Sequence, residues 1–96
     1  MKATLIFREK ARIQSCYILE MVIYRIDKDK NYPDQVKYSL ILINAINQKR
    51  ILMDNHHPKG HHVHLDQEEF GYEYVDEEKL ISDFKDLALR HMGVKL

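Results

Sequence analysis

The chain has one cysteine among 96 residues, no net charge, and no long uncharged apolar run. Each scarcity excludes something. With Cys16 alone there is no intrachain disulfide, so packing must hold the fold together. Cys16 opens an apolar run and is expected to behave as a small buried hydrophobe. No apolar stretch is long and uncharged enough to span a bilayer. Residues 1–15, broken by Arg8, Glu9, Lys10 and Arg12, do not read as a signal peptide. A reducing, cytoplasmic setting is the expectation. With three glycines and two prolines there is no low-complexity linker, and no internal repeat is visible. One domain is expected, with a modest core that buries about 60–70% of the surface of the unfolded chain.

Zero net charge argues against strong nonspecific binding of nucleic acid by the molecule as a whole, yet the two halves differ. Residues 1–50 carry ten Lys/Arg against five Asp/Glu, a net of +5; residues 51–96 carry five against ten, a net of −5. Asp66, Glu68, Glu69, Glu73, Asp76, Glu77 and Glu78 follow one another with no base between them. The N-terminal half can build a basic face, and the simpler reading is two solvated surfaces that partly neutralise each other.

Apolar content of 45% is ordinary for a globular protein. Residues 3–7 read as a short strand, and Arg8–Arg12 as a turn or an extended ribbon. Residues 16–26 are dense in β-branched and aromatic types and predict a long central strand. Its alternation sets Tyr17, Leu19, Met21 and Ile23 on one face. Residues 27–35 form a polar loop around Pro33. Residues 36–44 predict a strand with Val36, Tyr38, Leu40 and Leu42 inward and Lys37 and Ser39 outward. A hairpin at Asn47–Gln48 returns the chain through Arg50–Asp54. Residues 61–65 alternate again, and residues 72–75 suit a last short strand. Asp76 can cap a helix whose first turn carries Glu77 and Glu78, and Gly93 can end it. Its apolar stripe is Leu80, Ile81, Phe84, Leu87, Ala88 and His91. Short links favour an antiparallel meander of five or six strands with one C-terminal helix packed on one face, an α+β fold.

Chemistry concentrates in residues 54–64, DNHHPKGHHVH, which hold five of the six histidines. A packed core needs no such cluster. Imidazole holds or releases a proton near neutral pH and is the commonest metal ligand. His62 and His64 at i and i+2 on a strand project to one side about 6.5–7 Å apart. Such a pair can close on a divalent ion such as zinc, with His56, His57, Asp54 or Asp66 as third ligand. The familiar H-E-x-x-H pattern is absent. The same residues suit metal-free cleavage of RNA through its 2′-hydroxyl. His62 and His64 would serve as acid and base, and Lys59 would steady charge on the phosphate. Gly60 would let the backbone approach or take a positive φ angle. Arg8, Arg25 or Arg50 would hold the RNA backbone. The plainer alternative is a set of surface histidines on a mobile loop. His91, near the end of the helix, reads as structural. Glu20 is the one acid in a long apolar strand. It either orients a histidine, points to solvent, or forms a cross-strand pair with Lys37 or Arg50. The six tyrosines can stack on bases but are more simply core or rim residues.

MKATLIFREK, the segment LEMVIYRI with Glu20, the strand with Tyr38, and the pattern Asp54-Asn55-x3-Lys59-Gly60-x-His62-x-His64 resemble small toxins of the TumE family. The likeness covers nearly the whole chain. It implies a cytoplasmic toxin paired with a helix-turn-helix antitoxin and acting by RNA cleavage. It nominates Lys59, His62 and His64, with Asp54 and Glu20 in support. His56, His57 and His61 exceed the family pattern and favour a metal. Three readings follow: a metal-free ribonuclease, a metal-dependent hydrolase, and a non-catalytic protein whose histidine loop binds metal or a partner. The antitoxin would sit over the site or on the acidic segment 66–78. A long strand at an exposed edge could also pair in a homodimer.

Overall fold

The computed structural model describes residues 2–96. Six strands and one helix follow in chain order: β1 (Ala3–Ile13), β2 (Tyr17–Ile26), β3 (Val36–Asn44), β4 (Arg50–Asp54), β5 (His62–Leu65), β6 (Glu68–Gly71) and α1 (Glu77–Met92). The strands form one sheet in sequence order, β1-β2-β3-β4-β5-β6, with every neighbour antiparallel. This is the expected α+β meander. No helix among the described residues is long and apolar enough to cross a membrane.

Antiparallel partners share a face, so the register divides the sheet in two. Leu19, Met21 and Ile23 of β2, Tyr38, Leu40 and Leu42 of β3, Ile51 and Met53 of β4, and Val63 of β5 line the first face. All are buried, and they pack with Leu80, Phe84 and Ala88 of α1. Those helical residues recur every four positions, which is the stripe a helix turns toward a sheet. Phe7, Ala11 and Ile13 extend this layer along β1. The second face has no helix over it.

Local chemistry sets the ends of α1. The Asp76 side chain accepts the Lys79 backbone N–H at 2.8 Å. Gly93 closes the helix at φ 68°, and Gly93 and Val94 donate back to Leu89 and Ala88.

The Arg8–Arg12 segment is extended rather than a turn: it is the second half of β1, which runs on past a bulge between Leu5 and Phe7. Three expectations change. Residues 16–26 are interior to the sheet but covered on one face only; Ile18, Glu20, Val22 and Tyr24 remain half-exposed. Cys16 lies in the β1–β2 turn and is only partly buried. The last strand is Glu68–Gly71, not 72–75. A tight turn at Asp66–Gln67 folds β6 directly back on β5, with Asp66 at φ 56°. Tyr72 and Tyr74, despite their strand propensity, instead pack their rings against the core.

Candidate functional site: histidines and lysine at the end of an uncovered sheet face

The register brings Asp54, His62, His64 and Glu69 together on the uncovered face. Asp54 lies opposite His62 across β4 and β5, and His64 lies opposite both Leu52 and Glu69. The His62 and His64 rings meet edge to face with centroids 4.7 Å apart. Gly71, opposite His62 on β6, adds no side chain over the ring.

His62 is buried and has an acceptor at each nitrogen. Its Nδ1–H donates to the Gly60 carbonyl at 2.8 Å, while its Nε2 lies 3.0 Å from Asp54 Oδ1. A carbonyl and a carboxylate only accept, so the doubly protonated ring satisfies both. Gly60 reaches this position at φ 73°, a conformation that favours glycine. His64 is less enclosed, and its Nε2 lies 3.8 Å from Glu69 Oε1. Lys59 completes the group: its ammonium donates to both oxygens of Glu69 at 2.9 and 3.1 Å. The Lys59 hydrogen bond, ahead of the Lys59 charge, holds the Glu69 carboxyl below the usual glutamate range.

Two adjoining surface hollows share these groups. One is lined by Asp54, His56, His57, Pro58, Lys59, His62 and His64. The other is lined by Lys59, His62, Glu69, Phe70 and Gly71.

The remaining histidines separate by role. His56 and His57 are exposed on the loop, and both line the first hollow. His61 turns to the opposite side of the strand. Its Nε2–H donates to Asp34 at 2.7 Å, and its Nδ1 accepts the Tyr38 hydroxyl at 2.8 Å. The ring stacks against both Tyr38 and Tyr74, which also stack on each other. Burial, ahead of the neighbouring Tyr72 phenol, pushes the Tyr38 phenol up, so it stays a donor. His61 therefore bolts the loop to the core. His91 donates from Nε2 to Asp66 at 2.9 Å, and Asp66 also accepts the Arg50 N–H. Asp66 is thus engaged between β4 and α1, away from the histidine pair.

The other candidates divide between the faces. Arg8 pairs with Val22 and Arg50 with Ile43, which sets both on the uncovered face. Arg25 pairs with Val36 on the other side, so it does not join the site. Glu20 shares the site's face but lies three strands from His64; its nearest cation is Lys10, at 3.8 Å, rather than Lys37 or Arg50.

Three further features escaped the sequence reading. Lys10 and Arg12 line up with Arg8 on the uncovered side of β1, and Lys37 joins them from β3. Only the alternation of β1 beyond residue 7 could have revealed the first two. Asn55 is buried and continues the β3–β4 ladder with its side chain. Its Oδ1 accepts the Tyr38 N–H at 2.9 Å, and its Nδ2 donates to the Val36 carbonyl at 2.7 Å. Glu69 was hidden in the acidic run; a two-residue turn at Asp66–Gln67 would have paired it with His64.

For a metal, the best donor set is His62, His64 and Glu69, whose ligand atoms lie within 4.8 Å of one another. His56 is not in this set. A tetrahedral zinc ion with ligands at about 2.0–2.2 Å needs donors about 3.3–3.6 Å apart, so modest closure would be required.

Fold and site together define a small α+β protein with a histidine–lysine–carboxylate cluster at one end of an uncovered sheet. The chain belongs to the TumE toxin family, whose model, described as Toxin TumE, matches residues 2–90. No curated protein and no solved structure matches it.

Proposed function

We propose that this toxin is a small metal-free ribonuclease, held in check by a helix-turn-helix antitoxin. The observation that carries the reading is the convergence of His62, His64 and Lys59 around the Glu69 carboxylate on the uncovered face. His62 would be the acid that protonates the leaving 5′ oxygen, its Nε2–H turning from Asp54 to the substrate as the RNA binds. His64, the more open ring, is suited to the base that takes the 2′ proton. Lys59 would balance charge on the pentavalent phosphate. Asp54 keeps the His62 ring oriented. Arg8, Lys10, Arg12, Lys37 and Arg50 would guide the RNA backbone toward this end of the sheet.

The test is incubation of tag-free protein with RNA in excess chelator. Products ending in 2′,3′-cyclic phosphate are expected, with at least about a hundredfold loss in His64→Ala. Full activity or full growth inhibition in His62→Ala/His64→Ala would refute the reading. The donor set His62, His64 and Glu69 supports a second reading, a metal-dependent hydrolase. Loss of cleavage on chelation, restored by zinc, would select it. The antitoxin arm is tested by co-expressing the neighbouring reading frame. Relief of growth inhibition and a purified complex are expected.

A further inference from the structure

Glu69 does not fit a site built to receive an anion. One of its oxygens, Oε1, is the common target of three nitrogens: Lys59 Nζ at 2.9 Å, His64 Nε2 at 3.8 Å and His62 Nε2 at 3.9 Å. Lys59 also reaches Oε2 at 3.1 Å. A carboxylate only accepts, and an ammonium only donates. Lys59 donates to this oxyanion directly, while the two imidazoles flank it beyond hydrogen-bond distance, His62 Nε2 lying closer to Asp54 at 3.0 Å. The protein itself thus supplies an oxyanion where three cationic or protonatable groups converge. A phosphate group offers the same acceptors at similar spacing.

The element that carries Glu69 is poorly anchored. β6 is four residues long, exposed throughout, and paired on one side only. The three nitrogens belong to other elements, Lys59 to the loop and His62 and His64 to β5. The Lys59–Glu69 pair is itself solvated, with both side chains more than a third exposed. Such pairs are worth little in water, so an incoming anion can displace the carboxylate.

We infer that Lys59, His62 and His64 form the subsite for a phosphodiester of the RNA, and that Glu69 occupies it as an internal stand-in until substrate displaces it. This rests on the ribonuclease reading and adds to it an occupant and a gate. Glu69 is accordingly neither a base nor a metal ligand.

The test compares the wild type with Glu69→Gln and Glu68→Gln. The second removes the same charge from the same strand, but Glu68 pairs with Leu65 and so faces the other side of the sheet. The probes are inorganic phosphate and a short 2′-deoxy oligonucleotide, which cannot be cleaved through a 2′-hydroxyl. Binding is read from the NMR signals of the His62 and His64 rings. Glu69→Gln should bind both probes about tenfold more tightly, and Glu68→Gln less than about twofold.

Equal effects in the two variants would reduce the result to bulk charge and overturn the inference. So would unchanged binding in Glu69→Gln, or tightening for phosphate but not for the oligonucleotide. Loss of stoichiometric zinc binding in Glu69→Gln would make Glu69 a ligand and also refute it. Because neither probe is cleaved, tighter binding without any RNA cleavage would keep the subsite and reject the nuclease. Cleavage without tighter binding would do the reverse.

Discussion

The two faces of the sheet follow opposite rules. The helix-covered face is apolar from β1 to β5 apart from the exposed Glu9 and Arg25, and its core is sealed by Leu80, Phe84 and Ala88. The uncovered face has a basic edge on β1, a half-exposed apolar middle of Ile18, Val22, Ile41, Ile43 and Leu52, and the histidine cluster at the far end. From β1 to β5 is four strand spacings, about 19 Å. One strand serves both purposes by alternation, since successive side chains point to opposite sides. Stability resides on one face, and the other is left available for charge and chemistry.

Substitutions should respect this division. The largest effect is expected from Phe84→Ala, which empties a fully buried site beneath the sheet. A loss of about 3–5 kcal/mol is expected in urea unfolding. By contrast, the triple variant Arg8→Gln/Lys10→Gln/Arg12→Gln should stay within about 0.5 kcal/mol of the wild type in the same measurement. It should nevertheless lose affinity for an oligonucleotide and show a shallower salt dependence. A large stability loss in the triple variant would break the comparison.

Asn55→Ala comes next. It strands the Tyr38 N–H and the Val36 carbonyl at the end of the β3–β4 ladder. An unsatisfied buried group costs about 1–3 kcal/mol, and the loss should appear in thermal unfolding.

His61→Phe sharpens the contrast between adjacent histidines. The aromatic ring can still stack on Tyr38 and Tyr74, while the bonds to Asp34 and the Tyr38 hydroxyl are lost. A loss of about 1 kcal/mol is expected, with growth inhibition retained, whereas His64→Ala should show the opposite pattern.

The smallest effect is one of pH. The Arg50 backbone N–H, followed by His91, holds the Asp66 carboxyl below its ordinary value of 3.8. A carboxyl depressed in the folded chain favours folding when ionised. Its contribution is therefore present above about pH 4 and is lost as pH falls through the folded value. Asp66→Asn should flatten the acid limb of a plot of urea midpoint against pH.

Much of this was readable beforehand because short-range chemistry dictates it. The helix announced itself through Asp76, Glu77, Glu78 and Gly93, and β3 through its strict alternation. His62 and His64 were legible as a pair because i and i+2 on a strand must share a side. Propensity misled at the end of the sheet. Tyr72–Val75 look more strand-like than Glu68–Gly71, but the tight turn after Leu65 decides the pairing, and the tyrosines are drawn to the core instead. Glu69 was therefore invisible as a partner of the histidines. His61 could not be told from His62 by type; only Asp34 and Tyr38, distant in the chain, reveal its different task. Arg25 looked equivalent to Arg8 until the register set them on opposite sides.

Gly71 lies across the ladder from His62, and a Cβ added there would meet no atom within 4 Å. An alanine there would therefore crowd no neighbour, and a longer side chain would begin from open space beside the imidazole, like an awning. Ligand entry could then be narrowed step by step while the scaffold stayed as it is.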